Sequence, residues 1–220
     1  MTVQTMISLL SEGFLTTLAI FALTILGSMP LGLLVYFGRV SRIKPLRWLV
    51  NAYISIMRGT PLMLQLMVIF YGPYELLGIS VPQSWRFIAA IVGFVLNYAA
   101  YFAEIYRSGI EAISPGQYEA AEVLGYTKNQ TFMKIIMPQM IKNCLPSVTN
   151  EVITLVKDTS LAYVIGTVEI FTRAKQMVTA PNIDFPSMLP FVVAGVYYYV
   201  FNALVAYVME KCEKSLDYYK

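Results

Sequence analysis

Glu151 and Asp158 stand seven residues apart among apolar neighbours, with Thr154 between them. Two helical turns separate the carboxylates, so they share a face about 10 Å apart along the axis. A carboxylate at bilayer depth costs roughly 2.5–3.5 kcal/mol and as a rule lines a cavity or finds a partner. The spacing suits an ammonium or cationic side chain held between two acids, with Thr154 giving or taking a hydrogen bond. The alternative is structural: Asp158 pairs with Lys157 or another charge, and Glu151 borders a water-filled crevice. At about 100° per residue, Asn143, Ser147, Glu151, Thr154 and Asp158 fall within an arc of about 80°. Leu145, Val148, Val152, Leu155 and Val156 fill the opposite side. Upstream, Asn97, Tyr101 and Glu104 recur at i, i+4 and i+7. The Asn97 amide can bind a substrate carboxylate or amine, or equally a neighbouring helix. Glu104 is expected to pair with Arg107 or a nearby loop.

Other chemistry is absent from the chain. There is no histidine, which removes the commonest general base and metal ligand. Cys144 and Cys212 have no metal-ligand neighbours, and a disulfide is not expected on the side where they fall. No glycine-rich loop ends in Lys-Ser or Lys-Thr, so ATP is not expected to bind here. Any energy source must come from a partner.

The elements that position these residues follow from composition. The 220 residues are 57% hydrophobic and 13% charged, against about 25% charged in soluble domains. Segments 14–37 and 185–209 are free of charge, and each exceeds the roughly 20 residues that cross a bilayer as a helix. The first is too long for a cleavable signal, and no basic residue precedes it. Two shorter runs and the amphipathic 139–158 stretch complete the count. The expectation is an all-α integral membrane protein with five transmembrane helices, near 12–37, 57–79, 84–107, 139–158 and 185–210, in a single domain, 1–220. No internal repeat is evident, and five spans are too few to enclose a path alone. Two copies of the chain, or this chain and a relative, are therefore expected to form it together, a closed symmetric dimer being the simplest solution.

Charge orients the spans. Segments 38–58, 104–142 and 210–220 hold five, four and three Lys and Arg residues; 1–13, 75–86 and 159–184 hold none, one and two. Basic loops stay in the cytoplasm, so the N-terminus is expected outside and the C-terminus inside. Segment 111–138 is then cytoplasmic. Within it Ser114-Pro115-Gly116 breaks the chain, and 117–124 reads as a short helix closed by Gly125. Glu119 and Glu122 make it unlike the basic helices that lie on membranes, so docking to a protein is expected.

This segment, Gly116, Tyr118-Glu119-Ala120-Ala121 and Gly125 with Ile135 and Met137-Pro138 downstream, resembles the "EAA" loop of ATP-binding-cassette importer permeases. Met137 stands where Leu is usual in that family, a swap that keeps apolar volume. Arg58-Gly59-Thr60-Pro61-Leu62, the run Tyr98-Ala99-Ala100-Tyr101-Phe102-Ala103-Glu104-Ile105-Tyr106-Arg107-Ser108-Gly109-Ile110, and Lys157-Asp158-Thr159-Ser160-Leu161 extend the likeness over nearly the whole chain. Together they are similar to the polar amino-acid branch, the type I, binding-protein-dependent importers of histidine, arginine, glutamine, cystine and opines.

The resemblance implies a coupling helix that docks on an ATPase dimer, which itself binds ATP and Mg; no cofactor is expected in this chain. It also implies an extracytoplasmic amino-acid-binding protein, a bacterial cytoplasmic (inner) membrane location, and polar residues of the fourth span around the ligand. Membrane lipid is the remaining partner, and nucleic acid is not one. The function expected is ATP-driven import of a polar, cationic or zwitterionic amino acid. A secondary carrier in which Glu151 and Asp158 carry protons is the rival transport reading. An intramembrane enzyme is a more distant one, since no nucleophile motif accompanies the acids.

Overall fold

The structure is a computed structural model that describes residues 1–180 and 184–216. Lys220, one of the basic residues used to orient the C-terminus, lies outside the described residues. Helix α1 (Val3–Arg39) begins where the Thr2 hydroxyl accepts from the Thr5 N–H at 3.3 Å. Its buried positions include Gly13, Thr17, Thr24, Ser28 and Gly32, a row of small side chains along one face. Small residues let helix backbones approach closely where apolar burial alone gives no preference. That face lies against α4 (Trp85–Glu111), which is buried along most of its length through Ala89, Ala90, Phe94, Tyr98, Ala99, Ala100, Phe102 and Ala103. α4 is the axis of the bundle.

The basic segment expected to be a loop is instead helix α2 (Lys44–Gly59). Val50, Tyr53, Ile54 and Met57 recur at helical spacing and pack on the core. Charge counting passed over that period, and an amphipathic helix resulted. Thr60 and Pro61 are extended, as the residue before a proline prefers. Helix α3 (Leu62–Leu77) then departs at 113° to α2. At 16 residues α3 is about 24 Å long, short of the roughly 30 Å hydrocarbon layer.

Helix α5 (Pro115–Val123) follows α4 after three residues. Beyond it, α6 (Lys128–Thr131) opens with a capping box between Thr127 and Gln130. A wide π turn at Phe132–Ile136 runs on into α7 (Met137–Asp158). The expected coupling loop is thus already helical from Lys128, and the span placed at 139 begins earlier. After a 3₁₀ turn, Thr159–Ile165, come α8 (Ile170–Val178) and α9 (Leu189–Ser215). α8 seats on α1 at Gly13, where an added Cβ would lie 2.9 Å from Ile170 Cα.

Among the described residues, α1, α4 and α9 are long and apolar enough to cross a membrane, and the bent α2–α3 pair makes a fourth if it is one span. α7 has the length, about 33 Å for its 22 residues. Its polar face removes it from that count, so the five-span expectation holds in part.

The α1–α4 approach leads to a paired prediction. An Ala Cβ at position 32 would lie 2.7 Å from Phe102 Cβ and 3.0 Å from the Ala99 carbonyl oxygen, whereas one at position 59 meets nothing within 4 Å. Gly32→Ala gains about 1 kcal/mol in helix propensity but overpacks a rigid joint at about 1–3 kcal/mol, so overpacking wins. Thermal unfolding in detergent, followed by size-exclusion fluorescence, is expected to fall for Gly32→Ala and stay level or rise for Gly59→Ala.

Candidate functional site

The polar stripe of α7 turns toward α4. Val148, Val152, Leu155 and Val156 are buried in the core, while Glu151, Thr154 and Asp158 remain half-buried on the adjoining face. This face has a definite partner: the Tyr98 hydroxyl donates to Asp158 Oδ2 at 2.8 Å. Tyr98 is itself nearly inaccessible and feels the fields of both Asp158 and Glu151. Its ring lies 6.3 Å from that of Tyr101, and the Arg58 guanidinium sits over the Tyr101 ring at 5.4 Å. Arg58 stands within electrostatic range of Glu151. The structure therefore assembles two acids, a threonine, two phenols and one cation from α2, α4 and α7. Tyr98 was not singled out from sequence; the signal was its place three residues before Tyr101 on one α4 face.

Asn97 is engaged elsewhere. Its Nδ2 donates to the Met57 carbonyl at 3.1 Å and to Gln65 Oε1 at 2.9 Å. Gln65 Nε2 in turn donates to the Met57 and Thr60 carbonyls and the Thr60 hydroxyl at 3.0, 3.1 and 2.8 Å. These bonds satisfy carbonyls freed where α2 breaks into α3, the interhelical role weighed for Asn97. The buried Gln65 belongs to the same joint, and a lone amide in an apolar helix was its sequence signal.

Glu104 gathers more charge than Arg107 alone. Its side chain is 14% exposed and pairs with Arg107 at 2.9 Å, Arg58 at 3.7 Å and Arg39. Arg107 also reaches Glu111. Another acid, the fully buried Glu169, accepts from the Phe171 and Thr172 N–H groups at 2.7 Å each, the Thr172 hydroxyl at 2.8 Å and the Tyr198 hydroxyl at 3.1 Å. It caps α8 and joins it to α9. Tyr197 bonds Ser11 at 2.8 Å, and Tyr199 is exposed, so these tyrosines diverge around α9.

At the opposite end of α4 from its first turn lies α5. Ser114 Oγ accepts from the Gly116 N–H at 3.3 Å, Pro115 occupies the first turn, and Gly125 is left-handed at φ 75°. Tyr118, Glu119 and Ala120 are exposed. Ala121 is buried against its own chain, so the close approach expected of both alanines is open at Ala120 alone. The apolar tip is larger than sequence reading gave: Val123 is 88% and Leu124 72% exposed.

Residues 28–218 match the family described as the binding-protein-dependent transport system inner membrane component. The arginine transport system permease protein ArtQ of Bacillus subtilis (strain 168) is 37% identical over 93% of this chain and 91% of that protein. The L-cystine transport system permease protein TcyB of the same organism is 34% identical over 96% and 88%. A putative glutamine transport system permease protein, GlnP of Rickettsia bellii, is 36% identical over 93% and 91%.

Among solved structures, an amino acid ABC transporter with histidines superposes with a TM-score of 0.85 at 31% identity, covering 98% of this chain and 100% of that one. An inward-facing MetNI methionine ABC transporter gives 0.71 at 20% identity over 98% and 99%, a likeness of fold. An all-helical chain with long apolar spans, an exposed short helix between two of them and this breadth of similarity is a transport permease: the chain belongs to the family of inner membrane components of binding-protein-dependent transport systems.

Proposed function

We propose that this chain is the membrane-spanning subunit of an ATP-driven importer of a polar, cationic or zwitterionic amino acid. The observation that carries the reading is α5, a short helix seated on the following turns through Ala121 and Gln117 but with Val123 and Leu124 bare at its tip. Exposed apolar side chains beside Glu119 and Glu122 suit insertion into a protein groove better than burial in lipid. Two ATPase subunits, which hold ATP and Mg, dock there. An extracytoplasmic binding protein delivers the amino acid, and a second permease, most simply another copy, closes the path along the half-buried face of α7. The fold is read as one transmembrane domain over 1–220, of the type I importer kind, with five spans in which α2–α3 and α7 supply the two that composition leaves short. The N-terminus lies outside and the C-terminus in the cytoplasm.

In this reading ATP draws the ATPases together and carries the two α5 helices inward. The bundles rock, and the stripe Glu151, Thr154 and Asp158 opens to the outside. Driving the two states from 1:99 to 99:1 takes about 5.5 kcal/mol of preferential binding, well within what paired nucleotides can provide. Glu151 and Asp158 hold the substrate ammonium or a cationic side chain, Thr154 adds a hydrogen bond, and Asn97 bounds the site from the α2–α3 joint. The named amino acids of the similar proteins support this substrate class, and their assembly in ATP-binding-cassette systems favours it over an ion-coupled carrier.

Four measurements bear on it. In proteoliposomes with the ATPase and binding protein, uptake is expected to need ATP; uptake that persists without the ATPase and follows a proton gradient reverses the reading. Val123→Asp with Leu124→Asp is expected to leave the fold intact, because both residues are exposed, and to weaken ATPase association about 30-fold or more, as loss of a hot spot of roughly 2 kcal/mol does. Glu151→Gln removes one charged contact of roughly 1.5–3 kcal/mol, so amino-acid binding should fall about tenfold or further; unchanged binding across amino acids rejects its part. For orientation, Cys212 is exposed, and a membrane-impermeant maleimide is expected to label it in inside-out vesicles and not in right-side-out ones.

A further inference from the structure

Tyr98, Tyr101, Glu104, Arg107 and Glu111 follow one another at three- and four-residue spacing down one face of α4. Each touches its neighbour or a shared partner. Asp158 holds Tyr98, Tyr98 faces Tyr101, Arg58 covers Tyr101 and reaches Glu104, and Arg107 links Glu104 to Glu111 one turn from α5. The members are not held alike. Arg107 stands 2.9 Å from Glu104, with Arg39 paired to it as well, whereas Arg58 stands at 3.7 Å with its side chain 44% exposed. Arg58 also leaves the chain at a break, two residues before Thr60 and Pro61, where α2 and α3 meet at 113°. Three guanidiniums face two carboxylates here, so one positive charge is surplus, and the loosest cation lies over Tyr101, whose ring neighbours the Tyr98 that holds Asp158.

We infer that Arg58 is a mobile counter-ion shared between Glu104 and Glu151, and that Glu104 is the positioning residue that keeps it off Glu151 while substrate is bound. The inference rests on the reading of Glu151 as a ligand for the substrate's positive group. When α5 moves, the last turns of α4 move with it. Glu104 then loosens its hold, and Arg58 turns to Glu151 and displaces the amino acid's positive group into the path. Substrate release is thereby tied to the coupling helix through one side chain, with no need for the carboxylates to change protonation.

The test is equilibrium binding of radiolabelled L-arginine, L-glutamine or L-cystine to the purified permease–ATPase complex, using whichever the wild type accumulates in proteoliposomes. Glu104→Gln frees Arg58 and is expected to weaken binding roughly 5-fold or more. Adding Arg58→Gln to it is expected to restore affinity toward the wild-type value, and Glu104→Asp to retain most of it. A purely structural cluster gives the opposite result, with the double variant as weak as Glu104→Gln or weaker, and that overturns the inference while leaving the importer reading in place. Should Glu104→Gln fail to assemble, Arg58→Gln alone decides: tighter binding supports the counter-ion role, and unchanged or weaker binding overturns it. If the wild type accumulates none of the three amino acids, the substrate reading falls and this inference falls with it.

Discussion

A carboxylate withdrawn from water into an apolar bundle must meet its counter-charge or enough donors within the fold, and this requirement organises the molecule. An unpaired buried charge costs several kcal/mol, whereas a paired one is tolerated and fixes the geometry of everything attached to it. Glu104 meets the demand with arginines from three helices. Glu169 meets it with backbone N–H groups at the start of α8 and the Tyr198 hydroxyl. Asp158 meets it with Tyr98. Glu151 is half-buried on the same stripe as Asp158.

Uncharged polar groups follow the same logic at the α2–α3 break. A chain that turns by 113° within an apolar bundle leaves carbonyls without intrahelical partners. Gln65 and Asn97 supply donors to Met57 and Thr60, so the bend is held by two amides. Around these fixed points α1 and α4 approach closely through Gly32 and its small neighbours. The result is a rigid central pair, a bent pair tied to it at one joint, and a short helix projecting beyond the end of α4. α5 joins the bundle near the end of α4 where the Glu104 and Glu111 charges are concentrated.

Part of this was legible in residue order. Ser114, Pro115 and Gly125 act within a few residues of themselves, so α5 could be read to within two residues at its start, where Pro115 opens the helix instead of breaking before it, and one at its end. The α7 stripe could also be read, because a helix converts spacing into a face without help from the rest of the fold. α2 escaped notice because its charges suggested a loop while its apolar period pointed to a packed helix. Ala121 escaped because burial within a nine-residue helix depends on the neighbouring turn, not on the helix itself. Val123 and Leu124 are ordinary residues in sequence, and only the fold shows that nothing among the described residues covers them.

The sequence by itself determined that the chain is helical and apolar, roughly where its short exposed helix lies, and which α7 residues share a face. These are consequences of composition and of periods that act over a few turns. Tertiary structure alone decided that Arg39, Arg58 and Arg107 converge on Glu104, that Asn97 and Gln65 hold a bend, and that Tyr98 partners Asp158. Those pairings join residues up to 65 positions apart. Such meetings depend on which helices pack side by side, and spacing along one helix carries no information about its neighbours.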